Sequence, residues 1–260
     1  LFSEENFSRR LKNTAPEIQR TNLASVVLKM LQIKLGEIDR FPFLDSPSEG
    51  QVNAAFALLA ELNAVDKFRQ LTKTGKKMSG FPLDVRFSRM LISAGQFGSI
   101  SEILTIVSGL SIRDPRERPE DYKNLADRKH KKWEDKKSDF LTYLNLWDAF
   151  EKKKNILSKS ELREYCRTEF LSLPRMLEWG QLRLQLLRLA KSKGLRVNSK
   201  KASYASIHKA MLSGLLGHIA VKNGENEYLG ARNKKQYIFP GSSQFSVKPT
   251  WIVSAEILET

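Results

Sequence analysis

The 260-residue chain sets 44 Lys and Arg against 29 Asp and Glu, a formal charge of +15, on an ordinary apolar background of 41%. One cysteine, Cys166, excludes an internal disulfide framework and a cysteine-based zinc cluster. No apolar run approaches the roughly 18 residues of a membrane span, and no signal peptide opens the chain.

The length suits two or three small domains. The basic excess is +3 over residues 1–82, +8 over 83–198 and +4 over 199–260, so it spans the chain and is densest in the middle. Such a spread fits a long polyanion touched by several surfaces better than one small acidic ligand; a merely soluble basic surface is the alternative. The first residue is Leu, and the chain reads as a piece of a larger cytoplasmic protein.

Thr14-Ala-Pro-Glu17 forms a capping box, followed by Leu23, Val26, Val27, Met30 and Leu31 at helical spacing. A second box, Ser48-Glu-Gly-Gln51, starts a helix that buries Val52, Ala55, Phe56, Leu59 and Leu62. Ala64 to Thr72 is long enough for a two-stranded wing only, and Thr72-Lys-Thr-Gly75-Lys76-Lys77 reads as a wing or turn with exposed lysines. Together these predict a winged-helix domain over residues 14–82.

From 83 to 198 the pattern is helical. Ser99-Ile-Ser-Glu102 predicts a cap, Ser158-Lys-Ser-Glu161 another, and Gly194 ends the last helix. Stripes through Phe140, Leu144 and Trp147, and through Leu182, Leu186 and Leu189, predict a bundle with Trp147 and Trp179 in its core. Cys166, beside Leu162 and Phe170, reads as a buried small hydrophobe. After residue 199 a helix (Tyr204 to Leu216) precedes short β-rich runs broken by Asn223-Gly224 and Pro240-Gly-Ser, which predict a small barrel or meander. Ile252 to Leu258 reads as a further strand. The fold class expected is therefore mainly α with a small β part.

The stretch Ser111–Lys137 carries ten Lys/Arg, a His and a Trp between two apolar helical segments. A packed core has no use for such a run, whereas nucleic-acid phosphates do. Seven acids are interspersed, so a solvated mixed-charge face fits it equally well on sequence alone.

Familiar catalytic patterns fail. Gln70 and Lys77 stand where a P-loop needs Gly and Ser or Thr. Gly214-Leu-Leu-Gly217 imitates a nucleic-acid clamp loop but lies in a helical apolar run. His130, His208 and His218 share no metal-ligand spacing, so neither a catalytic nor a metal site is expected.

Several ordered strings resemble DEAH-box ATP-dependent RNA helicases. They include Glu17-Ile-Gln-Arg-Thr-Asn-Leu-Ala-Ser-Val-Val27, Phe81-Pro-Leu-Asp84, Glu102-Ile-Leu-Thr-Ile-Val107, Ser138-Asp-Phe-Leu-Thr-Tyr-Leu-Asn-Leu-Trp147, Gly230-Ala-Arg-Asn233 and Phe239-Pro-Gly-Ser-Ser243. The pairing of Arg113-Asp-Pro-Arg-Glu-Arg-Pro119 with Gly230-Ala-Arg-Asn233 points to the bacterial HrpA type. The resemblance covers essentially the whole chain. It implies the tail of a second RecA-like domain at 1–13, a winged helix at 14–82, a helical ratchet at 83–198 and an OB-like barrel, cut short, at 199–260. It also implies 3′-to-5′ RNA unwinding driven by ATP and magnesium in RecA-like domains that this chain lacks. Leu173-Pro174 departs from the family pattern, and Pro174 is expected to break the ratchet helix there.

Single-stranded RNA and the RecA-like domains of the same parent are the partners implied, with an activator protein possible and a monomer expected. The RNA contacts expected are Arg113, Arg116, Arg118, Lys129 and His130 on the ratchet side. On the barrel side they are Arg232, Lys234, Lys235, Ser242, Ser243 and Lys248. Two alternatives stay open: a scaffold for an acidic partner, and a winged-helix DNA regulator, the latter weakened by how little Arg or Asn the helix from Val52 to Leu62 offers for base reading.

Overall fold

The computed structural model describes residues 23–36 and 38–258; the expected box at Thr14–Glu17 and the expected RecA-like tail at 1–13 lie outside them. The chain divides into two compact units, one ending at Val85 and the other beginning at Arg86.

In the first unit, α1 (Leu23–Ile33) packs against α2 (Glu49–Glu61), burying Leu23, Val27, Leu28 and Met30 against Val52, Ala55 and Leu59. The box at Ser48 forms as expected: its hydroxyl accepts from the Gln51 N–H, and the Gln51 side chain accepts from the Ser48 N–H at 2.8 Å. The wing is smaller than expected. It shrinks to one antiparallel bridge, Val65 with Leu71, because the Asp66 carboxylate accepts the Phe68 and Gln70 N–H groups (2.9 Å each) and curls the segment into a tight turn. The lysine-rich piece after it is no turn but a short helix, α3 (Lys73–Met78), capped by the Thr72 hydroxyl on the Gly75 N–H at 2.9 Å. Gly75 is required there: a Cβ would lie 2.0 Å from the Ala64 carbonyl oxygen.

The second unit holds α4 (Val85–Phe97, all but its first residue), α5 (Ile100–Leu110), α6 (Lys123–His130), α7 (Asp139–Lys154), α8 (Lys159–Thr168), α9 (Leu173–Ser192) and α10 (Tyr204–Leu212). Helix α5 is apolar on nearly every side and buried accordingly, with α7, α9 and α10 laid against it. Trp133, Trp147, Phe150, Cys166, Met176 and Trp179 form the bundle core, as the stripes predict for Trp147, Trp179 and Cys166. The Ser158 box forms and Gly194 takes φ +75° past the end of α9.

Two expectations fail. Ser99 has φ −128° and ψ 26°, away from the extended geometry a capping serine needs, and its hydroxyl instead meets the Ser206 carbonyl at 3.4 Å. Its supposed partner Glu102 turns inward, accepting from the Asn198 side chain (2.9 Å) and the Ala202 N–H (2.8 Å). Pro174 does not break a helix; it occupies the first turn of α9, where no N–H is needed and its fixed φ is favourable.

Helix α10 ends at Leu212, four residues earlier than expected. Gly214 follows in a turn pressed on α4, where a Cβ would meet the Arg86 carbonyl oxygen at 2.5 Å. Four short strands then pair antiparallel in the order β3 (Lys235–Tyr237), β2 (Glu227–Gly230), β1 (Ile219–Lys222), β4 (Trp251–Val253). The sheet is open among the described residues, with β3 and β4 as its edges; β1, β2 and β3 follow one another as the meander that was one of the two expected forms, and no closed barrel forms among the described residues. The strand expected from Ile252 to Leu258 ends at Val253, where Ser254 bonds the His218 carbonyl instead.

Candidate nucleic-acid interface

The stretch 111–137 is a scaffolded loop and helix wrapped on the hairpin before α9. Its backbone pairs Arg116 with Leu171, and the Ser172 N–H reaches the Pro115 carbonyl at 2.8 Å. Asp114 receives Arg116 through both oxygens, down to 2.6 Å, and the guanidinium lies 5.6 Å from the Tyr143 ring centroid. Burial works to lower the Arg116 pKa, yet the Asp114 hydrogen bond and charge outweigh it and leave it raised. Burial, then the Asp114 charge, push the Tyr143 hydroxyl up to about 12.

Arg118 forms a bidentate pair with Asp127 at 2.6 and 2.7 Å, whose carboxyl that hydrogen bond holds below its ordinary value. Glu169, nearly buried, sits between Lys132 (2.5 Å) and Lys129 (3.8 Å). His130 is stacked on Trp133, and its Nε2 faces the Glu169 and Phe170 carbonyls at 3.1 Å, which requires an N–H there. Burial lowers its pKa.

Most residues singled out from the sequence on this side are thus tied to the fold, and Arg113 alone among them is exposed without an ion pair among the described residues. The cations that do face solvent unpaired among the described residues were not singled out: Lys123, Arg128, Lys131, Lys136 and Lys137. Meanwhile several acids of the stretch are engaged. Asp114 and Asp127 hold arginines, Glu117 lies 3.9 Å from Arg175, and Asp135 accepts the Lys137 and Ser138 N–H groups. A count of charges in sequence could not separate these populations, because Glu169 lies some forty positions from the lysines it pairs.

On the β side, Asp139 at the start of α7 accepts the Ser242 hydroxyl (2.5 Å) and the Ser243 N–H (2.9 Å), while the Gln244 amide donates to the Lys136 carbonyl at 3.1 Å. This clamp carries the 239–244 loop onto the end of the basic stretch. Ser242 and Ser243 are therefore joints between the sheet and the bundle. Lys235 pairs with Glu227 at 2.8 Å, and Lys248 lies 3.6 Å from Glu225. The Glu227 hydrogen bond raises the Lys235 pKa and the reverse lowers that of Glu227. Arg232 is exposed in a turn at φ 58°, beside exposed Lys234. No cluster of metal-ligating side chains occurs among the described residues, and no helix is long and apolar enough to cross a membrane.

Two family descriptions match along this architecture: the winged-helix part of the helicase-associated domain (HA2) over residues 55–83, and its ratchet-like part over 84–143. These matches place the winged-helix and ratchet-like parts of a helicase-associated domain within residues 55–143 of this chain. The chain is 43% identical over its whole length to the ATP-dependent RNA helicase HrpA of Escherichia coli and to the HrpA homolog of Haemophilus influenzae. It is 32% identical to the mouse ATP-dependent RNA helicase DHX33, again along the whole chain. The chain spans about a fifth of the length of those bacterial relatives and 37% of the mouse one.

Proposed function

We propose that this chain is the accessory RNA-binding and strand-guiding module of an ATP-dependent 3′-to-5′ RNA helicase. ATP and magnesium belong to RecA-like domains of the same parent, outside this chain, and a cytoplasmic setting goes with that reading. One observation carries it. Internal contacts engage Asp114, Glu117, Asp127 and Asp135, so the six solvent-facing cations Arg113, Lys123, Arg128, Lys131, Lys136 and Lys137 stand against three exposed carboxylates of the stretch, Glu120, Asp121 and Glu134. The loop bearing Arg232 and Lys234 belongs to the sheet that the Asp139 clamp joins to the same end of the bundle.

Lysines and arginines so arranged neutralise phosphates without choosing a sequence. The expected contacts are therefore redistributed. Arg113, Arg232 and Lys234 stay candidates for direct contact, while Arg116, Arg118, Lys129, His130, Lys235, Ser242, Ser243 and Lys248 hold the surface that presents them. The test is affinity for single-stranded oligo-RNA measured across a salt series. Six neutralised phosphates give a slope of log K against log salt of about −4. K131Q/K136Q/K137Q is expected to shallow it by about 2. An affinity that stays flat with salt refutes the electrostatic reading.

A further inference from the structure

A second cationic feature lies away from the basic stretch. Ser101, Thr105, Trp147, Asp148, Arg183, Asn198, Lys200 and Lys201 line a cleft of about 250 Å³ where α5, α7 and α9 meet the loop before α10. That volume is below the roughly 300 Å³ at which drug-sized sites begin, so the cleft suits one chemical group.

The cleft is built. The buried Glu102 carboxylate ties down the loop through Asn198 and Ala202, and the Asn198 amide also donates to the Lys200 carbonyl at 2.9 Å. Asn198 Oδ1 accepts the Ser101 N–H at 2.9 Å, closing the strap on the start of α5. Lys200 and Lys201 are thereby held at the rim, exposed and without an ion pair among the described residues. Deeper in, Arg183 lies 5.7 Å from the Trp147 ring centroid and donates through Nε to the Thr105 hydroxyl at 2.8 Å. Its terminal guanidinium nitrogens make no hydrogen bond among the described residues. Burial lowers the Arg183 pKa and outweighs the opposing pull of the Glu151, Asp148 and Glu102 carboxylates.

We propose that this cleft takes a phosphodiester of the RNA strand, with Arg183 as the fork and Lys200 and Lys201 as the rim. Three cations and two carboxylates, Glu102 and Asp148, line the cleft, while Glu151, which also acts on Arg183, is balanced by Lys154 at 3.0 Å; the one net positive charge left matches the single charge of a diester better than the two of free phosphate. A planar fork resting on an aromatic ring is suited to phosphate oxygens. The inference rests on the RNA reading above but uses different residues from it.

The experiment is paired on the 260-residue chain: single-stranded oligo-RNA binding of wild type and K200Q/K201Q across salt, and amide NMR shifts of Ser101, Lys200 and Lys201 on adding oligo-RNA or inorganic phosphate. R183K, which keeps the charge and loses the fork, is the second variant. Support is a salt slope shallowed by about 1.4 in K200Q/K201Q, the three amides shifting with RNA, and weaker RNA shifts in R183K. Salt-sensitive RNA binding with unchanged slope and unmoved amides overturns the cleft and leaves the module reading intact. Amides that move with inorganic phosphate but not with RNA overturn the strand assignment. If the chain binds no RNA, the module reading falls and this inference with it.

Discussion

Gly109→Ala sets two effects of opposite sign against each other inside α5. Helix propensity alone favours Ala over Gly by about 1 kcal/mol. The added Cβ, however, would lie 2.7 and 2.8 Å from two Trp179 ring atoms and 2.8 Å from the Tyr143 ring. Neither neighbour yields freely. Trp179 is fully buried and donates through Nε1 to the Thr105 carbonyl (2.9 Å) and the Ser108 hydroxyl (3.0 Å), and Tyr143 lies under Arg116. Overpacking costs about 1–3 kcal/mol, and displacing the indole weakens two hydrogen bonds worth about 1 kcal/mol each. The net expected is a loss of about 2–3 kcal/mol, or roughly 5–10 °C in Tm for a unit of this size. The assay is urea unfolding followed by tryptophan fluorescence, which reports the second unit alone because Trp133, Trp147, Trp179 and Trp251 all lie in it. In a W179F background the same substitution is expected to cost less, with a coupling of about 0.5–3 kcal/mol. Stabilisation by about 1 kcal/mol would show that propensity governs the site and would refute the close-packing argument.

Cys166 is buried and its thiol is pushed up to about 11 by burial, so an aromatic disulfide reagent at pH 8 is expected to leave the folded chain untouched and to react once urea unfolds it. Pro174→Ala is expected to change the stability of the second unit by less than about 1 kcal/mol in urea titration, since Pro sits in the first turn of α9; a larger gain would mean that it strains the helix. Burial lowers the pKa of both His130 and His208. The unfolded chain then binds more protons than the folded one, so stability is full above the unfolded value near 6.5 and is lost as pH falls through the folded values. Urea midpoints should therefore drop from pH 7.5 to pH 5.5, and the double variant H130N/H208N should flatten that drop.

What the sequence determined by itself is local. Apolar spacing in Leu23 to Leu31, the box at Ser48 and the stripe through Phe140, Leu144 and Trp147 placed helices correctly, because helix periodicity and capping depend on neighbours three and four positions away. The ordered motifs likewise carried the helicase resemblance. The size of the wing, the Ser99 cap and Pro174 depart from the sequence pattern where a side chain or terminus has a second use: Asp66 takes the turn's N–H groups, Glu102 faces inward, and Pro174 begins a helix.

Only the tertiary structure decided which charges are free. Glu169 pairs with Lys129 and Lys132 across some forty residues, Asp139 clamps Ser242 and Ser243 across more than a hundred, and Glu102 fixes the loop that carries Lys200 and Lys201. The physical reason is range. Charges at such separations meet only after the chain has packed, so a run of bases and acids in sequence leaves its pairing undetermined. Once Glu169, Asp139 and Glu102 are engaged across the fold, the cations left without an ion pair among the described residues can be told from those that are paired.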